Sequence, residues 1–596
     1  MLKGYPTINA LKDPEIKSAL IEDILVNNGH RLELAYQELL TLLSERLQDQ
    51  GKSMSMYGLP EPAQLRTELE RYQIYHDVES EMREYTELVS TIPNNEQQQE
   101  IFDMVARHIQ EETRVFLFVD GKGGTGCSLC FTNNYCSFTL TILILIGKTT
   151  LAKKLMAYTR GHGKIALGSA STALAATLYK DFETTHSLFK FPVVEEQDKD
   201  PNLPTECLLS RHPQRLELLR ATTLFVFDEF PSLDREVFEG IYKEMKQFQN
   251  KVVVCLGDFR QLPPVIEGGD RAATVNATIK SSPLWNFFRI MRLNLNMRLL
   301  GLNTRQDQLS DDDAQDLENQ KNFAQILDHI GNGTHPQSVD DEFDGTGAQI
   351  IPMSFVKCFQ TEEEGINFIY PNGHNPVYMH NRAILAATNK MVDEWNTKIQ
   401  DMNPAPLLSL YSVDKLCEVD DPHNTLRSML SEEVLNNFNH SGNPPHKLNL
   451  KINDICIVLR NLNKKAGLTN NTRVIIIHIS RFVIKVRTLN QSSSIHLIPR
   501  IHFKFRLPFG QSYQLSRKQF PLRLAYCISI NKSQGQELSK VLCDFRVSPF
   551  THGHTYVSAT RVRHHNDLAY IVDPNSFPFE PDVPYINNVV YPELLL

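Results

Sequence analysis

Two glycine-rich segments, separated by a long uncharged stretch, constrain the fold of this chain more than any other feature. The first segment, Gly121–Gly126, follows an apolar strand pattern at Val115–Val119. The second segment, Gly147–Thr150, begins a helical pattern. If Gly126 is joined to Lys148, the segments read G-x-x-x-x-G-K-T between a strand and a helix, the setting that a phosphate-binding loop requires.

The joined motif predicts a site for the phosphates of a nucleoside triphosphate. Its glycines let backbone N–H groups converge on phosphate oxygens, and the N-terminus of the helix adds a positive end. Lys148 would place a positive charge beside the β- and γ-phosphates, and the hydroxyl of Thr149 would coordinate Mg²⁺. The motif therefore predicts a nucleoside triphosphatase that uses magnesium.

Residues 127–147 interrupt the motif with twenty-one residues, none of which is charged. Phe, Leu and Ile are frequent among them, and their codons are rich in T, as an in-frame pyrimidine tract would be. A Gly126 codon can contain a GT splice donor, and the Ile146–Gly147 junction can contain an AG acceptor. We therefore interpret the interruption as a retained short intron, with a genuine loop insertion or a decayed gene as the alternatives.

The cysteines indicate neither a disulfide framework nor a metal site. The chain has ten cysteines without a pairing pattern, which is typical of a reducing compartment. Cys127 and Cys130 have the spacing of zinc ligands, but a structural zinc site needs four ligands, and Cys136 alone does not complete the set.

Length and composition allow several ordinary globular domains. The chain of 596 residues is long enough for three or four domains with cores, and its 41% hydrophobic and 22% charged residues are typical of a soluble protein. The longest apolar run, 140–146, is too short to span a bilayer, and the N-terminus lacks a signal-peptide pattern. A net charge of −9 argues against electrostatic binding of nucleic acid by the whole protein surface, although a local basic channel can still bind it.

An acidic pair follows the next strongly apolar strand pattern. Asp228 and Glu229 come directly after Thr222–Phe227. The carboxyl end of a buried parallel strand is where a Mg²⁺-holding Asp and a water-activating Glu would lie. A further strand pattern leads into Gly257–Pro264, in which Gln261 can sense a γ-phosphate. Apolar strands that alternate with helices predict a parallel α/β sheet with its site at the carboxyl ends of the strands.

The rest of the chain divides into further units. Apolar residues at helical spacing predict accessory helices before the loop, and the acidic run Asp311–Asp313 predicts a solvated loop. A second α/β unit begins near Ile384, and short β patterns between Lys451 and Phe505 predict a small barrel. The predicted domains are 1–90 (helical accessory region), 91–305 (first α/β domain, containing 127–147), 306–375 (linker and accessory segment), 376–430 (start of the second α/β domain), 431–515 (β insertion) and 516–596 (remainder of the second domain and tail).

The order of these motifs resembles that of the superfamily 1B DNA helicases, and within them the Pif-one (petite integration frequency) family. The resemblance covers about residues 91–575. Its motifs are the glycine-rich loop, Asp228-Glu229, Gly257–Pro264, Asn296–Arg298, Asn531–Gly535 and Arg561. Further segments resemble the helicase part of Helitron transposons, namely Gly331–Thr334, Ser441–Leu448, Leu459–Asn463 and Asn588–Glu593.

The resemblance implies an α/β fold with two RecA-like parallel-sheet domains, ATP in the cleft between them, and an SH3-like β insertion. The residues implied in ATP binding are Gln97, Gly121, Gly123, Gly124, Thr125, Gly126, Gly147, Lys148, Thr149 and Thr150. The residues implied in catalysis are Lys148, Glu229, Gln261, Arg298 and Arg561, the two arginines stabilising the charge of the transferring phosphoryl group. The magnesium ligands implied are Thr149 and Asp228.

The same resemblance implies a path for single-stranded DNA across both RecA-like domains. Binding is expected through phosphates more than base edges, with local basic charge as the source of attraction. The residues implied in this path are His186, Thr388, Lys532, Ser533 and Gln534, with the Arg517-Lys518 pair as a further source of positive charge.

The resemblance implies an ATP-dependent 5′→3′ DNA helicase that acts in DNA repair or recombination, telomere maintenance or Helitron transposition. Its expected partners are ATP, single-stranded DNA and duplex junctions, with no membrane contact and a monomeric state. Its expected location is the nucleus, with the mitochondrion as the alternative. Helitron transposases also carry a nuclease with a His-hydrophobe-His metal site. Here the pair His552 and His554 flanks a glycine inside a helicase motif, which indicates a structural role.

Two other functions stay open at this point. One is a catalytically inactive, DNA-binding transposon remnant, because the phosphate loop is interrupted. The other is a nucleotide-dependent switch without DNA, which the motifs of a second RecA-like unit disfavour. Sequencing the transcript across codons 120–150 distinguishes an active helicase from the remnant.

We predict that the form without residues 127–147 hydrolyses ATP when single-stranded DNA is added, and that the 596-residue chain does so poorly or not at all. A phosphate loop must hold its N–H groups and lysine together, and a displacement of about 1 Å can cost roughly 100-fold in rate. Steady-state phosphate release from the two forms measures the difference. Equal ATP affinity and turnover would show that the interruption leaves the loop intact.

Overall fold

The structure is a computed structural model of the chain. It describes residues 39–41, 43–44, 53–60, 67–92, 94–122, 147–192, 207–245, 250–266, 268–293, 311–340, 348–418, 435–436, 438, 442–463, 467–489, 494–506, 513–573 and 583–595. Within these residues, we find no helix that is both long and apolar enough to cross a bilayer.

Strands and helices alternate in the first half of the described chain, and short strands dominate the second half. The strands are β1 Val115–Gly121, β2 Ile165–Ala170, β3 Glu183–Thr184, β4 Thr222–Asp228, β5 Val252–Gly257, β6 Phe288–Leu293, β7 Val339–Asp340, β8 Ala348–Pro352, β9 Lys357–Phe359, β10 Arg382–Ala386, β11 Leu408–Tyr411, β12 Val413–Glu418, β13 Lys447–Leu450, β14 Ile455–Val458, β15 Arg473–Ile479, β16 Val483–Thr488, β17 Ile495–Pro499, β18 Ile501–Arg506, β19 Tyr513–Gln519, β20 Leu522–Leu524, β21 Cys527–Ser529, β22 Lys540–Asp544, β23 Leu568–Ile571 and β24 Tyr585–Val589. The helices are α1 Glu68–Tyr75, α2 Val78–Thr91, α3 Glu96–Glu111, α4 Lys148–Gly161, α5 Ala173–Ala176, α6 Thr185–Leu188, α7 Pro213–Ala221, α8 Arg235–Met245, α9 Arg271–Ala277, α10 Asp311–Asn332, α11 Glu362–Ile369, α12 Pro376–Met379, α13 Asn389–Asp401, α14 Ile530–Ser533, α15 His554–Ala559 and α16 Pro592–Leu595.

The first unit is a six-stranded parallel sheet in the order β3-β2-β4-β5-β1-β6. Alternate residues of β1 enter different cores, Leu117 and Val119 on one face and Phe116 and Phe118 on the other. Burial of both faces explains why its central strands are almost continuously apolar. Because β4, β5 and β1 are neighbours, their carboxyl ends lie side by side and bring the sequence motifs together.

The second unit contains a five-stranded parallel sheet in the order β21-β10-β22-β23-β9. Its edge strand β9 and the helix α11 lie inside the predicted linker 306–375, so the predicted boundary at residue 376 is too late. A three-residue edge strand leaves little periodic signal in a sequence.

The acidic run Asp311–Asp313, predicted as a loop, instead begins α10, where negative charge favours a helix N-terminus. A small antiparallel sheet of β7, β8 and β24 contributes the remaining strands outside the β-rich unit.

The β-rich unit is antiparallel and includes more of the chain than the predicted range 431–515. Its strands run from β11 to β20 and form a five-stranded sheet, β17-β16-β15-β14-β20, and two smaller sheets, β12-β19-β18 and β11-β13. The side chain of Arg517 on β19 is fully buried. It donates to Asp414 at 2.8 Å and to the carbonyl of Pro444 at 3.2 Å. The predicted contribution of Arg517 to DNA binding is therefore wrong, whereas Lys518 beside it is exposed.

The helices α1 and α2, which fall in the predicted accessory region, pack on the first unit. The hydroxyl of Tyr72 donates to the Ala166 carbonyl at 2.8 Å. The ring of Tyr85 stacks on Phe102 with centroids 5.8 Å apart and meets Tyr158 edge-on at 5.4 Å. The helices α1 and α2 therefore form an outer layer of the first unit.

We expect Arg517→Ala to lower the free energy of unfolding of the β-rich unit by about 3–5 kcal/mol, because the buried carboxylate of Asp414 would lose its arginine partner. Lys518→Ala, one residue further and exposed, should change that free energy by no more than about 0.5 kcal/mol. Urea denaturation followed by circular dichroism measures both. Equal effects of the two substitutions would contradict the structural role of Arg517.

Candidate functional site

The described ends of the two glycine-rich segments, Gly121 and Gly147–Lys148, lie close together. Gly121 ends β1, and Gly147 precedes α4. The amine of Lys148 donates to the Gly121 carbonyl at 2.8 Å. Thr149 is half-buried and Thr150 is buried on the same first turn of α4. The other predicted loop residues, which lie outside the described residues, are Gly123, Gly124, Thr125 and Gly126.

The acidic pair predicted from the sequence lies beside this lysine, at the end of β4. One oxygen of Asp228 accepts from the Glu229 backbone N–H at 2.9 Å, and the other accepts from the Tyr179 hydroxyl at 2.7 Å. Glu229 has a φ of 52°, in the left-handed region. That conformation costs a non-glycine residue about 1–2 kcal/mol, and it turns the chain sharply after the strand.

Burial shapes the acidity of both carboxyl groups. It raises the pKa of Asp228. The Lys148 ammonium and the hydrogen bond from Tyr179 lower that pKa, but by less than burial raises it. Burial also raises the pKa of Glu229, more than the positive charges of Lys148 and Arg561 lower it. A carboxyl group with a raised pKa in a cleft is suited to accept a proton near neutral pH.

A second ion cluster lies at the ends of β5 and β1. One oxygen of Asp258 accepts from the Arg260 Nε at 2.5 Å, and Arg260 also reaches Asp120 at 3.3 Å. Although burial raises the pKa of Asp258, the charges of Arg260 and Lys148 bring it below its ordinary value. Gln261 follows in the same turn and is buried, and its side-chain oxygen has no protein partner. Gln261 is the residue for which the sequence predicts contact with a γ-phosphate, a contact that its side-chain NH2 group would donate.

The second unit docks directly on this turn. The hydroxyl of Tyr556 donates to Asp258 at 3.0 Å, and His552 donates from Nε2 to the Phe259 carbonyl at 2.7 Å. A Cβ on Gly553 would lie 2.6 Å from the Arg260 carbonyl oxygen, and its φ is 79°. Only glycine therefore allows so close an approach.

Both histidines of the pair His552 and His554 near this contact are buried. His552 accepts from the Tyr591 N–H at Nδ1, 2.9 Å away, so both ring nitrogens are engaged in a neutral ring. Burial lowers the pKa of His552 and of His554 to about 4. No cluster of metal-ligating side chains occurs among the residues that the structure describes. The contacts of His552 agree with the structural role predicted from the sequence, and the role of His554 stays a prediction.

Two residues of the second unit face the acidic pair. Gln534 donates to the Glu229 carboxylate at 3.4 Å, so the structure places it in the cleft rather than on a separate DNA path. Arg561 is buried and donates to the carbonyls of Ser533 at 3.3 Å and Gln536 at 3.2 Å. Arg298, the other predicted arginine, lies outside the described residues.

The remaining residues predicted for DNA have mixed surroundings. Ser533 is fully buried and its hydroxyl donates to the Ile530 carbonyl at 2.7 Å, so its predicted role at the DNA is wrong in this conformation. Thr388 caps α13 by accepting from Met391 N–H at 3.4 Å. Lys532 is half-buried, and burial lowers its pKa to about 8. His186 is half-buried, and the structure leaves its predicted role untested.

The adenine-reading glutamine predicted from the sequence lies at the start of α3. Gln97 is half-buried there, whereas the next residue, Gln98, is buried and forms a capping box with Asn95. Lys154 of α4 donates to Asn94 at 2.7 Å and so ties this helix start to the helix that carries Lys148. The predicted role of Gln97 stays a prediction.

Sequence reasoning missed several residues that shape the cleft. Asp258 and Arg260 lie inside the motif Gly257–Pro264, so the sequence could have predicted them as residues of the site. Tyr179 and Tyr556 carry no such signal, because a tyrosine between apolar and polar residues is common in any core. Their hydroxyl groups become informative only when the fold brings them to Asp228 and Asp258.

Comparison with known proteins agrees with this geometry. Residues 145–341 match the PIF1-like helicase family, and residues 433–479 match the 2B domain of DNA helicase Pif1. The ATP-dependent DNA helicase Pif1 of Campylobacter jejuni is 24% identical over 441 residues, which cover 71% of this chain and 86% of the relative. The family match begins two residues before Gly147, so the first half of the glycine-rich loop lies outside it.

Solved structures share the fold. The crystal structure of Pif1 helicase from Candida albicans has a TM-score of 0.51 at 21% identity and covers 80% of this chain and 95% of its own. The Bacteroides Pif1 helicase in complex with ADP-AlF3 and ssDNA has a TM-score of 0.50 at 20% identity and covers 80% of this chain and 92% of its own. The predicted RecA-like α/β fold class is thereby confirmed.

We expect Tyr556→Phe to weaken the contact between the two units by about 1–3 kcal/mol, because the buried Asp258 carboxylate would lose a donor. The phenylalanine ring would keep the packing of Tyr556 against Gly331. Thermal unfolding and limited proteolysis measure the effect, with Tyr378→Phe as a matched exposed control. A Tyr556→Phe protein as stable and as protease-resistant as that control would contradict the coupling.

Proposed function

The chain belongs to the Pif1-like ATP-dependent DNA helicases of superfamily 1B, and from this we propose that it couples ATP hydrolysis to 5′→3′ movement on single-stranded DNA and to duplex unwinding. The observation that carries the proposal is the cleft between the two units. The first unit supplies Lys148, Asp228 and Glu229, and the second supplies Gln534 and the nearby Arg561.

The groups in the cleft match the steps of phosphoryl transfer. Lys148 would hold the β- and γ-phosphates, and Gln261 would donate to the γ-phosphate through its side-chain NH2 group. Glu229 would accept the proton of the attacking water, a role that its raised pKa suits. Arg561, with Arg298, would stabilise the charge of the transferring phosphoryl group, a contribution of about 10³–10⁵ in rate for such arginines.

The oxygen donors of the cleft fit a divalent cation. Thr149 offers a hydroxyl and Asp228 a carboxylate, and such hard oxygen ligands are the ones that Mg²⁺ prefers. We propose Mg²⁺ as the ion, held by these two residues. When bound, it would neutralise negative charge on the β- and γ-phosphates.

The single-stranded DNA is proposed to cross both units and to be held mainly by its phosphates. Thr388, Lys532 and His186 are the remaining candidates for this path. Lys532 keeps its charge below a pH of about 8 and loses it above, because its pKa is lowered to that value. Its attraction for phosphate therefore weakens as the pH rises through 8.

The interruption at residues 127–147 supports a second candidate, a catalytically inactive DNA-binding remnant of a transposon. The contact between Lys148 and Gly121 supports the first candidate instead, because it joins the two halves of the loop on either side of the interruption. We infer that the active form lacks residues 127–147. The Helitron-like segments support an origin in such a transposon and action in the nucleus, whereas repair, recombination and telomere maintenance rest on the family alone.

The proposed direction is tested with partial duplexes that carry either a 5′ or a 3′ single-stranded tail. We expect the form without residues 127–147 to unwind the 5′-tailed duplex only, with ATP and Mg²⁺ present. Binding should weaken as salt rises, because phosphate contacts release counterions. Unwinding from the 3′ tail alone would contradict the direction, and salt-insensitive binding would contradict tracking along phosphates.

A pair of lysine substitutions controls this experiment. Lys148→Ala should abolish most unwinding and ATP turnover, because it removes the charge beside the phosphates. Lys357→Ala removes an exposed lysine from β9 and should leave both unchanged. If the Lys148→Ala protein kept its full DNA-stimulated turnover, the assignment of the phosphate site would be wrong.

A further inference from the structure

A buried tyrosine is hydrogen-bonded to one of the residues that would hold the divalent cation. The hydroxyl of Tyr179 donates to Oδ2 of Asp228 at 2.7 Å. A phenol has one hydrogen, and here that hydrogen goes to the carboxylate. Burial raises the pKa of Tyr179, and the nearby Thr149 hydroxyl opposes that effect. Tyr179 therefore lies behind one proposed cation ligand and near the other.

The local sequence fixes the position of this tyrosine. The ring of Tyr179 stacks on Phe182, with centroids 3.7 Å apart and planes 10° apart. Phe182 lies flat on β2 at Gly168, where a Cβ would come within 1.8 Å of its ring. Glycine at this position therefore makes room for the aromatic pair. The amine of Lys153 lies 5.9 Å from the centre of the Tyr179 ring.

The loop that carries Tyr179 is also held in place by ion pairs of Asp181, two residues further along the chain. Asp181 accepts from Arg160 of α4 at 2.5 Å and lies 3.1 Å from the Nε2 of His76. The Arg160 guanidinium holds the pKa of Asp181 well below its usual range, although burial opposes it. A buried ion cluster, together with the aromatic pair, leaves the Tyr179 hydroxyl little freedom to move away from Asp228.

The direction of the hydrogen bonds has a chemical consequence for a cation. Each oxygen of Asp228 accepts one hydrogen bond, from Tyr179 or from Glu229, and keeps a further lone pair. Mg²⁺ demands near-ideal octahedral geometry, so ligands that are oriented in advance favour it.

We propose that Tyr179 is a positioning residue for the divalent cation, acting through Asp228 rather than by contact with the nucleotide. The inference rests on the proposed function, because it needs a cation at Asp228. It adds to that function a residue that lies outside every motif by which the sequence was interpreted. Its chemistry is that of a hydrogen-bonded partner behind a metal ligand, whose loss typically costs about 10–100-fold in metal affinity.

The test is Mn²⁺ binding in the presence of ADP, measured by electron paramagnetic resonance without any turnover. It uses both the 596-residue chain and the form without residues 127–147. Tyr179→Phe keeps the ring and its stacking on Phe182 but removes the hydroxyl. Tyr526→Phe is the matched control, because Tyr526 is buried and donates to the carboxylate of Asp454 at 2.8 Å, far along the chain from the cleft.

In each form that binds Mn²⁺ with ADP, we expect Tyr179→Phe to weaken Mn²⁺ affinity by about tenfold or more. Tyr526→Phe should lower the melting temperature but leave Mn²⁺ affinity unchanged. Equal Mn²⁺ affinity in the Tyr179→Phe and unsubstituted proteins, or equal weakening by both substitutions, would overturn this inference alone. If neither unsubstituted form bound Mn²⁺ with ADP, both this inference and the proposed function would be overturned.

Discussion

The ammonium group of Lys148 is the charge on which the rest of the cleft depends. It donates to the carbonyl at the end of β1 and lowers the pKa values of Asp228 and Glu229 against the effect of burial. Several carboxyl groups can share so small a volume only because this lysine and Arg260 offset their repulsion. The parallel order of β4, β5 and β1 brings these groups together, since all three strands end at the same edge.

The second unit meets this edge through the turn that follows β5. Tyr556 donates a hydrogen bond to the carboxylate of Asp258, and His552 donates one to the carbonyl of Phe259. A change in the position of Gln261 on phosphate binding or release would therefore be transmitted to α15 and to Arg561 behind it. Such a contact provides a physical route from the chemistry of a phosphate to the relative position of two domains, which is what movement along a strand requires.

Much of the fold could be predicted because its signals are local. Near-continuous apolar strands indicated a buried parallel sheet, and acidic residues directly after one of them indicated the place of the carboxylates. The direction in which a single side chain points could not be predicted. Ser533 and Gln534 are neighbours, yet the short helix α14 turns one inward and the other toward Glu229. The burial of Arg517 carried no signal either, since Arg517 shares a buried face of β19 with Leu515 and Gln519, of which only Leu515 is apolar. Tyr179 had none, because its role arises from the stacking of Phe182 over Gly168.

The central claim is that one nucleotide site is built from both halves of the loop and from both units. A crystal structure of the form without residues 127–147, bound to ADP, a divalent cation and a phosphate analogue, tests it most directly. The account predicts that the phosphates lie against the Lys148 amine, with Glu229 and Gln261 facing the analogue. It also predicts that Arg561 exchanges its bonds to the Ser533 and Gln536 carbonyls for the analogue. A nucleotide bound elsewhere, or an Arg561 that keeps both carbonyl bonds in that complex, would contradict it.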